Sequence, residues 1–146
     1  MKKPQWIVVA HRAGARFLVQ DPKSRRLQLV EQRDHPEGRM RSGQLDTDAP
    51  GTASMKGSQG GAHPMAREQS AHDREAANFA RELADALRGY RAENRFGELV
   101  LVAEPGFLGM LREALDGPTS ACVAGTIRKD LSHVDLNHLG PHLAPE

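Results

Sequence analysis

The chain has 146 residues, 38% apolar and 27% charged, with 20 Lys and Arg against 19 Asp and Glu. That is enough for one domain with its own core, and no apolar run reaches the roughly 18 residues that a membrane span needs. The charge is split along the chain: residues 1–67 carry 12 basic and 6 acidic side chains, residues 68–146 carry 8 and 13. A basic first half is compatible with a phosphate-rich partner and equally with scatter among few charges. The opening Met1-Lys2-Lys3-Pro4 is followed by WIVVA, too short for the apolar region of a signal peptide, and the lone Cys122 leaves no internal disulfide. These features read as a cytoplasmic protein.

The predicted elements begin with Gln5–Arg12, QWIVVAHR, a β-branched apolar run bounded by Pro4 and Gly14 that reads as a buried strand. Ala15–Asp21 follows after the Ala13-Gly14 turn, and Asp21-Pro22-Lys23-Ser24 is a second turn signal. In Arg26–Gln32, Leu27, Leu29 and Glu31 alternate against Gln28, Val30 and Gln32, a third strand. Links this short require antiparallel pairing, because parallel neighbours need a long crossover.

Periodicity then stops. Residues 34–66 hold prolines at 36, 50 and 64 and glycines at 38, 43, 51, 57, 60 and 61. No helix or strand pattern fits them, so they read as a long flexible loop. Inserts of this length inside a domain are commonly functional or disordered.

A helix follows, with an apolar stripe of Ala76, Phe79, Ala80, Leu83, Leu87 and Tyr90. Its start is either a capping box at Ser70 and Asp73 or the turn after Pro64. Glu98–Glu104, ELVLVAE, is a strand without clean alternation, expected to be covered on both faces. Pro105 starts a helix with Phe107, Leu108, Leu111 and Leu115 on its stripe, stopped by Gly117-Pro118. Ala121–Ile127 is a last strand, and Asp135–Leu143 offers a short terminal helix capped by Asp135. The order is βββ, long loop, αβα, β, α in one domain spanning 1–146. The crossovers make the later strands parallel with right-handed connections. This α/β mixed-sheet order is similar to that of ribonuclease-H-like domains.

Several chemistries can be set aside. A two-metal nuclease needs converging carboxylates, normally one on the first strand, where this chain has His11; Glu104 alone cannot hold two metals. Lys56-Gly57-Ser58 has the wrong order for a phosphate loop. His138 and His142, near Asp135 and His133, resemble a zinc spacing but sit in a soft terminal segment, and with His63 and His72 they read as surface histidines. Cys122 falls in an apolar strand, where a buried and inert thiol is expected. No metal or other cofactor is implied. The loop remains: Arg33, Arg39, Arg41, Lys56 and Arg67 face Asp34, Glu37, Asp46 and Asp48 in number, around a Gly57-Ser58-Gln59-Gly60-Gly61 centre. Such a tip can pass close to another surface and present amide groups to an anion or ester.

HPEGRMR (35–41), FARELADAL (79–87), LVLVAEPGFLGMLREAL (99–115) and IRKDLSHVD (127–135) together resemble the host attachment protein family, small bacterial proteins. The similarity covers nearly the whole chain, and KDLSH is its most specific part. That family is regarded as a relative of the middle domain of archaeo-eukaryotic release factors. The resemblance therefore implies a release-factor-like domain with a ribonuclease-H-like topology. In true release factors a mobile loop carries Gly-Gly-Gln to the peptidyl-transferase centre, where it helps water cleave an ester. Here the loop reads Ser58-Gln59-Gly60-Gly61, with glutamine ahead of the glycines, and it lies in the corresponding place.

Within KDLSH, Lys129 and Asp130 fall at the exit of the last strand, the edge where α/β sheets bind ligands. Lys129 can hold a phosphate, Ser132 can cap a turn and His133 can exchange a proton near neutral pH. Three functions follow. The first is a translation-associated domain binding ribosome or tRNA, with Arg39, Arg41, Lys56 and Arg67 on phosphates and Gln59 at the tip. The second is a non-enzymatic interaction or regulatory module needed indirectly for attachment. The third is a small-molecule or nucleotide-binding enzyme using a strand-edge pocket of Glu104, Asp130 and Ser132 with Lys129 and His133. No membrane contact is expected, and the oligomeric state is left open.

Overall fold

The computed structural model describes residues 3–36 and 64–143. Five strands form one mixed sheet: β1 (Gln5–His11), β2 (Gly14–Gln20), β3 (Leu27–Asp34), β4 (Glu98–Val102) and β5 (Val123–Ile127). The spatial order is β3-β2-β1-β4-β5, with β1–β2 and β2–β3 antiparallel and β1–β4 and β4–β5 parallel. The antiparallel meander and the parallel crossovers agree with the sequence pattern. The result is a mixed α/β fold whose β1, β3, β4 and β5 all end at one edge.

β1 is central and buried throughout Trp6–Ala10. A strand with both faces covered has no water-facing positions, hence its unbroken apolar run. Trp6, Val8 and Ala10 face α1 (Pro64–Ala92) and α2 (Pro105–Ala114), together with Phe17, Leu99 and Leu101. Ile7, Val9, Leu18 and Val102 face the other way, onto Leu131 and Leu139 of the C-terminal segment. β4 splits its leucines and valines between the two faces, as expected for a strand covered on both.

α1 begins at Pro64, its proline at the first turn where no intrahelical N–H is needed. The Ser70–Asp73 start is therefore superseded. Ala76, Phe79, Ala80, Leu83 and Leu87 are all buried against the sheet. Pro64–Ala66 of the expected loop are helical, Asp34 closes β3 and His35 and Pro36 follow it; residues 37–63 of that loop lie outside the described residues.

β3 departs from simple alternation. Leu18 pairs with Leu29 but Phe17 pairs with Glu31, so a bulge at Val30 turns the strand over. Glu31 consequently lies on the helix side, opposite to Leu29, where its Oε1 accepts a 2.6 Å hydrogen bond from the Tyr90 hydroxyl. That bond raises the Tyr90 pKa above its ordinary value, with help from burial.

The end of α2 also differs from expectation. Gly117–Ser120 is not just a stop but a helical turn, α3, capped by the Asp116 carboxylate, which accepts from the Thr119 amide at 3.3 Å. Cys122 precedes β5 and is half-buried, its thiol 3.5 Å from the Pro118 carbonyl. α4 (Leu136–Leu139) and a 3-10 turn (Gly140–Leu143) cross the second face. Asp135 occupies the cap position of α4 but makes no side-chain capping bond.

Candidate functional site

The edge at which β1, β3, β4 and β5 end gathers polar side chains from both ends of the chain. Register places His11, Arg16 and Asp34 on the second face there, since residues two apart on a strand share a face. With Ser132 they line a cleft of about 110 Å³. His11 Nδ1 accepts a 3.3 Å hydrogen bond from the Ala13 amide, so in the neutral ring the proton belongs on Nε2. A Cβ on Gly14 would lie 3.1 Å from the Arg33 carbonyl oxygen, 3.4 Å from His11 Nε2 and 3.7 Å from Asp34 Oδ1. A side chain there would have to push the Arg33 carbonyl back by a few tenths of an ångström, while it would only touch the two side chains.

Asp130 anchors the other wall. Its Oδ1 accepts from the Ser132 amide at 3.0 Å and the Ser132 hydroxyl at 2.5 Å, a local turn bonded by its own side chain. Partial burial, the largest influence, pushes the Asp130 carboxyl upward. The two Ser132 bonds, with the positive charge available from His11 and His133, outweigh it and hold the carboxyl below its ordinary value. Ser132 thus shares the cleft with His11, and the Asp130 carboxylate lies within electrostatic reach of both His11 and His133. The set places a hydrogen-bonded carboxylate between two imidazole-bearing residues.

Arg16 straps this edge together. Its Nη2 donates to the Leu131 carbonyl at 3.0 Å and to the Ser132 carbonyl at 3.4 Å, fixing the Ser132 turn to β2. Desolvation lowers the Arg16 pKa from its ordinary value against an opposing pull from Asp135. On the helix side, the His35 ring stacks on Phe79, with centroids 4.5 Å apart and planes 8° from parallel. His35 Nε2 lies 3.2 Å from Glu75 Oε1, and the His35 amide donates to Ala13 at 2.8 Å. Arg12 reaches Asp73 at 3.3 Å and the His72 carbonyl at 3.4 Å. These contacts fasten the end of β3 and the middle of α1 to the same edge.

Glu104 does something else. It caps α2, its carboxylate accepting from the Phe107 amide at 2.7 Å and the Gly106 amide at 3.0 Å. Lys129 is exposed and turns toward a groove on the second face. Arg39, Arg41, Lys56 and Gln59 lie outside the described residues, and Arg67 lies near the start of α1. His11, Arg16, Asp34 and the His35–Phe79 stack were not singled out by sequence. The signal that could have found them is the short β1–β2 turn, which brings the strand's last residue and the next strand's first polar residue to one edge. Among the described residues no group of three or more His, Cys, Asp and Glu is placed to hold a metal ion.

The profile of a family described as "Protein required for attachment to host cells" matches residues 6–143, from the first core residue of β1 to the end of the 3-10 turn. The chain belongs to that host attachment family. No curated protein matches it. Among solved structures, an archaeal protein is similar at 11% identity and a TM-score of 0.44, over 86% of this chain and 30% of its own length. This host attachment protein thus spans under a third of that archaeal chain. Among its described residues no helix is long and apolar enough to cross a membrane.

Proposed function

We propose that this host attachment protein is a release-factor-like, translation-associated domain that binds ribosome or tRNA through the edge where its strands end. The observation that carries the reading is the anchoring of the elements on either side of residues 37–63. β3 ends at Asp34 beside His11, and α1 is held to the same edge by Arg12 and His35. The described residues that flank the segment with Arg39, Arg41, Lys56 and Gln59 are thus the end of β3, next to His11, and the helix that Arg12 and His35 hold to that edge. Residues 64–71 place about 12 Å of helix between the segment's end and the Arg12–His72 contact. The strand order β3-β2-β1-β4-β5 supports a ribonuclease-H-like, release-factor-type topology.

The chemistry is electrostatic first. Cations on a nucleic-acid backbone release counterions, so affinity falls with salt. Gln59, towards the C-terminal end of the segment in sequence, offers both a donor and an acceptor to a partner. The test is co-sedimentation with ribosomes from cells expressing either the whole chain or one lacking residues 40–62. The whole chain pelleting with ribosomes at low salt, and the deleted chain staying in the supernatant, is the expected result. Equal behaviour of the two, or absence of both from the ribosome fraction, overturns the proposal and leaves a protein-interaction module as the better reading.

A further inference from the structure

The second face of the sheet is only partly covered. The C-terminal segment crosses β1 and β2, and beside it a groove of about 790 Å³ opens over β4 and β5. That is the size of a small-molecule site. Its floor is apolar: Ile7, Val100, Gly125 and Ile127, with Leu143 as the side wall. The floor exists because of a register shift in β5. Leu99 pairs with Val123 but Val100 pairs with Gly125, so Gly125 and Ile127 turn to the second face with Val100 and Val102. At Gly125 a Cβ would meet nothing within 4 Å. A side chain there would fit the strand and fill the groove.

The rim is cationic. Arg25 stands at one end, Arg128 and Lys129 at the other, and His142 on the wall. Among the described residues that line it, none is Asp or Glu. Glu98 shares this face at the start of β4, beside Gln5, but does not line the groove. Arg25 is held there by the β2–β3 turn, in a left-handed conformation (φ 63°) with its amide donating to the Asp21 carbonyl at 2.8 Å. Left-handed backbone at a non-glycine residue persists only when its surroundings fix it.

We infer that this groove binds a small amphipathic anion, its apolar body on the Ile7–Val100–Ile127 floor and its anionic group on the Arg25 or Arg128 rim. The floor supplies burial to the body, and the one-signed rim selects anions over neutral or cationic molecules of the same shape. Its floor over β4 and β5 shares no lining residue with the polar cleft, and only its Arg128–Lys129 end reaches the strand-end edge.

The probes are 8-anilinonaphthalene-1-sulfonate, its uncharged analogue N-phenyl-1-naphthylamine, and dodecanoate as a competitor. Fluorescence titration of the native full chain should give one saturable sulfonate site that dodecanoate empties, with the uncharged analogue at least tenfold weaker. Gly125→Leu should weaken the sulfonate at least tenfold without lowering Tm. The exposed R128E variant, combined with R25E, should do the same for both anions and leave the uncharged analogue unchanged. The inference is overturned if Gly125→Leu, folded, binds as the parent does. It is equally overturned if charge reversal leaves the anions unaffected or if the uncharged analogue binds as tightly. Should Gly125→Leu fail to fold, the charge-reversal pair alone decides.

Discussion

Replacing Glu104 by alanine separates a capping role from a chemical one. The carboxylate takes the amide hydrogens of Gly106 and Phe107, at 3.0 and 2.7 Å, at the start of α2. Loss of a capping side chain costs about 1 kcal/mol, up to about 2. A negative charge on a helix N-terminus contributes a further ~0.3–1 kcal/mol. The helix cannot relieve the loss by fraying, because Phe107, Leu108 and Leu111 on its first turns are buried. The expected total is about 2 kcal/mol, which in a chain of this size lowers Tm by about 4–8 °C. Glu104→Asp, which keeps a capping carboxylate, should stay within about 0.5 kcal/mol of the parent. Thermal unfolding followed by circular dichroism reads both, with ribosome or tRNA binding measured below the transition. If E104A leaves Tm unchanged, or if E104D falls as far as E104A, the capping assignment is wrong. If E104A abolishes binding in the folded protein, Glu104 contacts the partner.

Tyr90 is the chain's one tyrosine, so an absorbance titration reads it alone. Its midpoint should lie above the ordinary ~10 and fall toward it in Glu31→Gln, because the Glu31 carboxylate holds the hydroxyl protonated. A raised folded pKa means that this contribution is present below the unfolded pKa and lost as pH rises through the folded one. For Asp130 the sign reverses. Its lowered pKa contributes stability present above the unfolded value near ~3.9 and lost as pH falls through the folded value. The difference in urea midpoint between the parent and D130N should therefore shrink below about pH 4, and a constant difference down to pH 2 would contradict the assignment. Leu101→Ala, fully buried on the helix side of the sheet, should cost about 2–5 kcal/mol in urea unfolding; a loss under 1 kcal/mol would contradict that packing.

The elements that sequence made legible are those with a local cause. The apolar run of β1, the stripe of α1 and the Pro105 start of α2 each record their burial or backbone needs within a few residues. The bulge of β3 does not. Leu27 to Gln32 reads as unbroken alternation, and the extra residue is fixed by pairing with Phe17 and by Tyr90 on a distant helix. The same holds for the site. The Asp130–Ser132 turn is a local device that KDLSH announces, whereas His11 and Arg16 join it from the other end of the chain through sheet register. Glu104 ended an apolar strand and so read as a strand-edge acid; the Pro105 beside it was the better guide to its capping role.

The most direct measurement of the proposed function is the salt dependence of tRNA binding by fluorescence anisotropy, for the parent and for a variant with Arg39, Arg41 and Lys56 changed to Gln. A phosphate-contacting segment predicts that log K falls linearly with log salt concentration, and that the variant's slope is shallower by about 0.7–0.9 for each cation removed. A parent affinity indifferent to salt, or identical slopes for the two proteins, would contradict it.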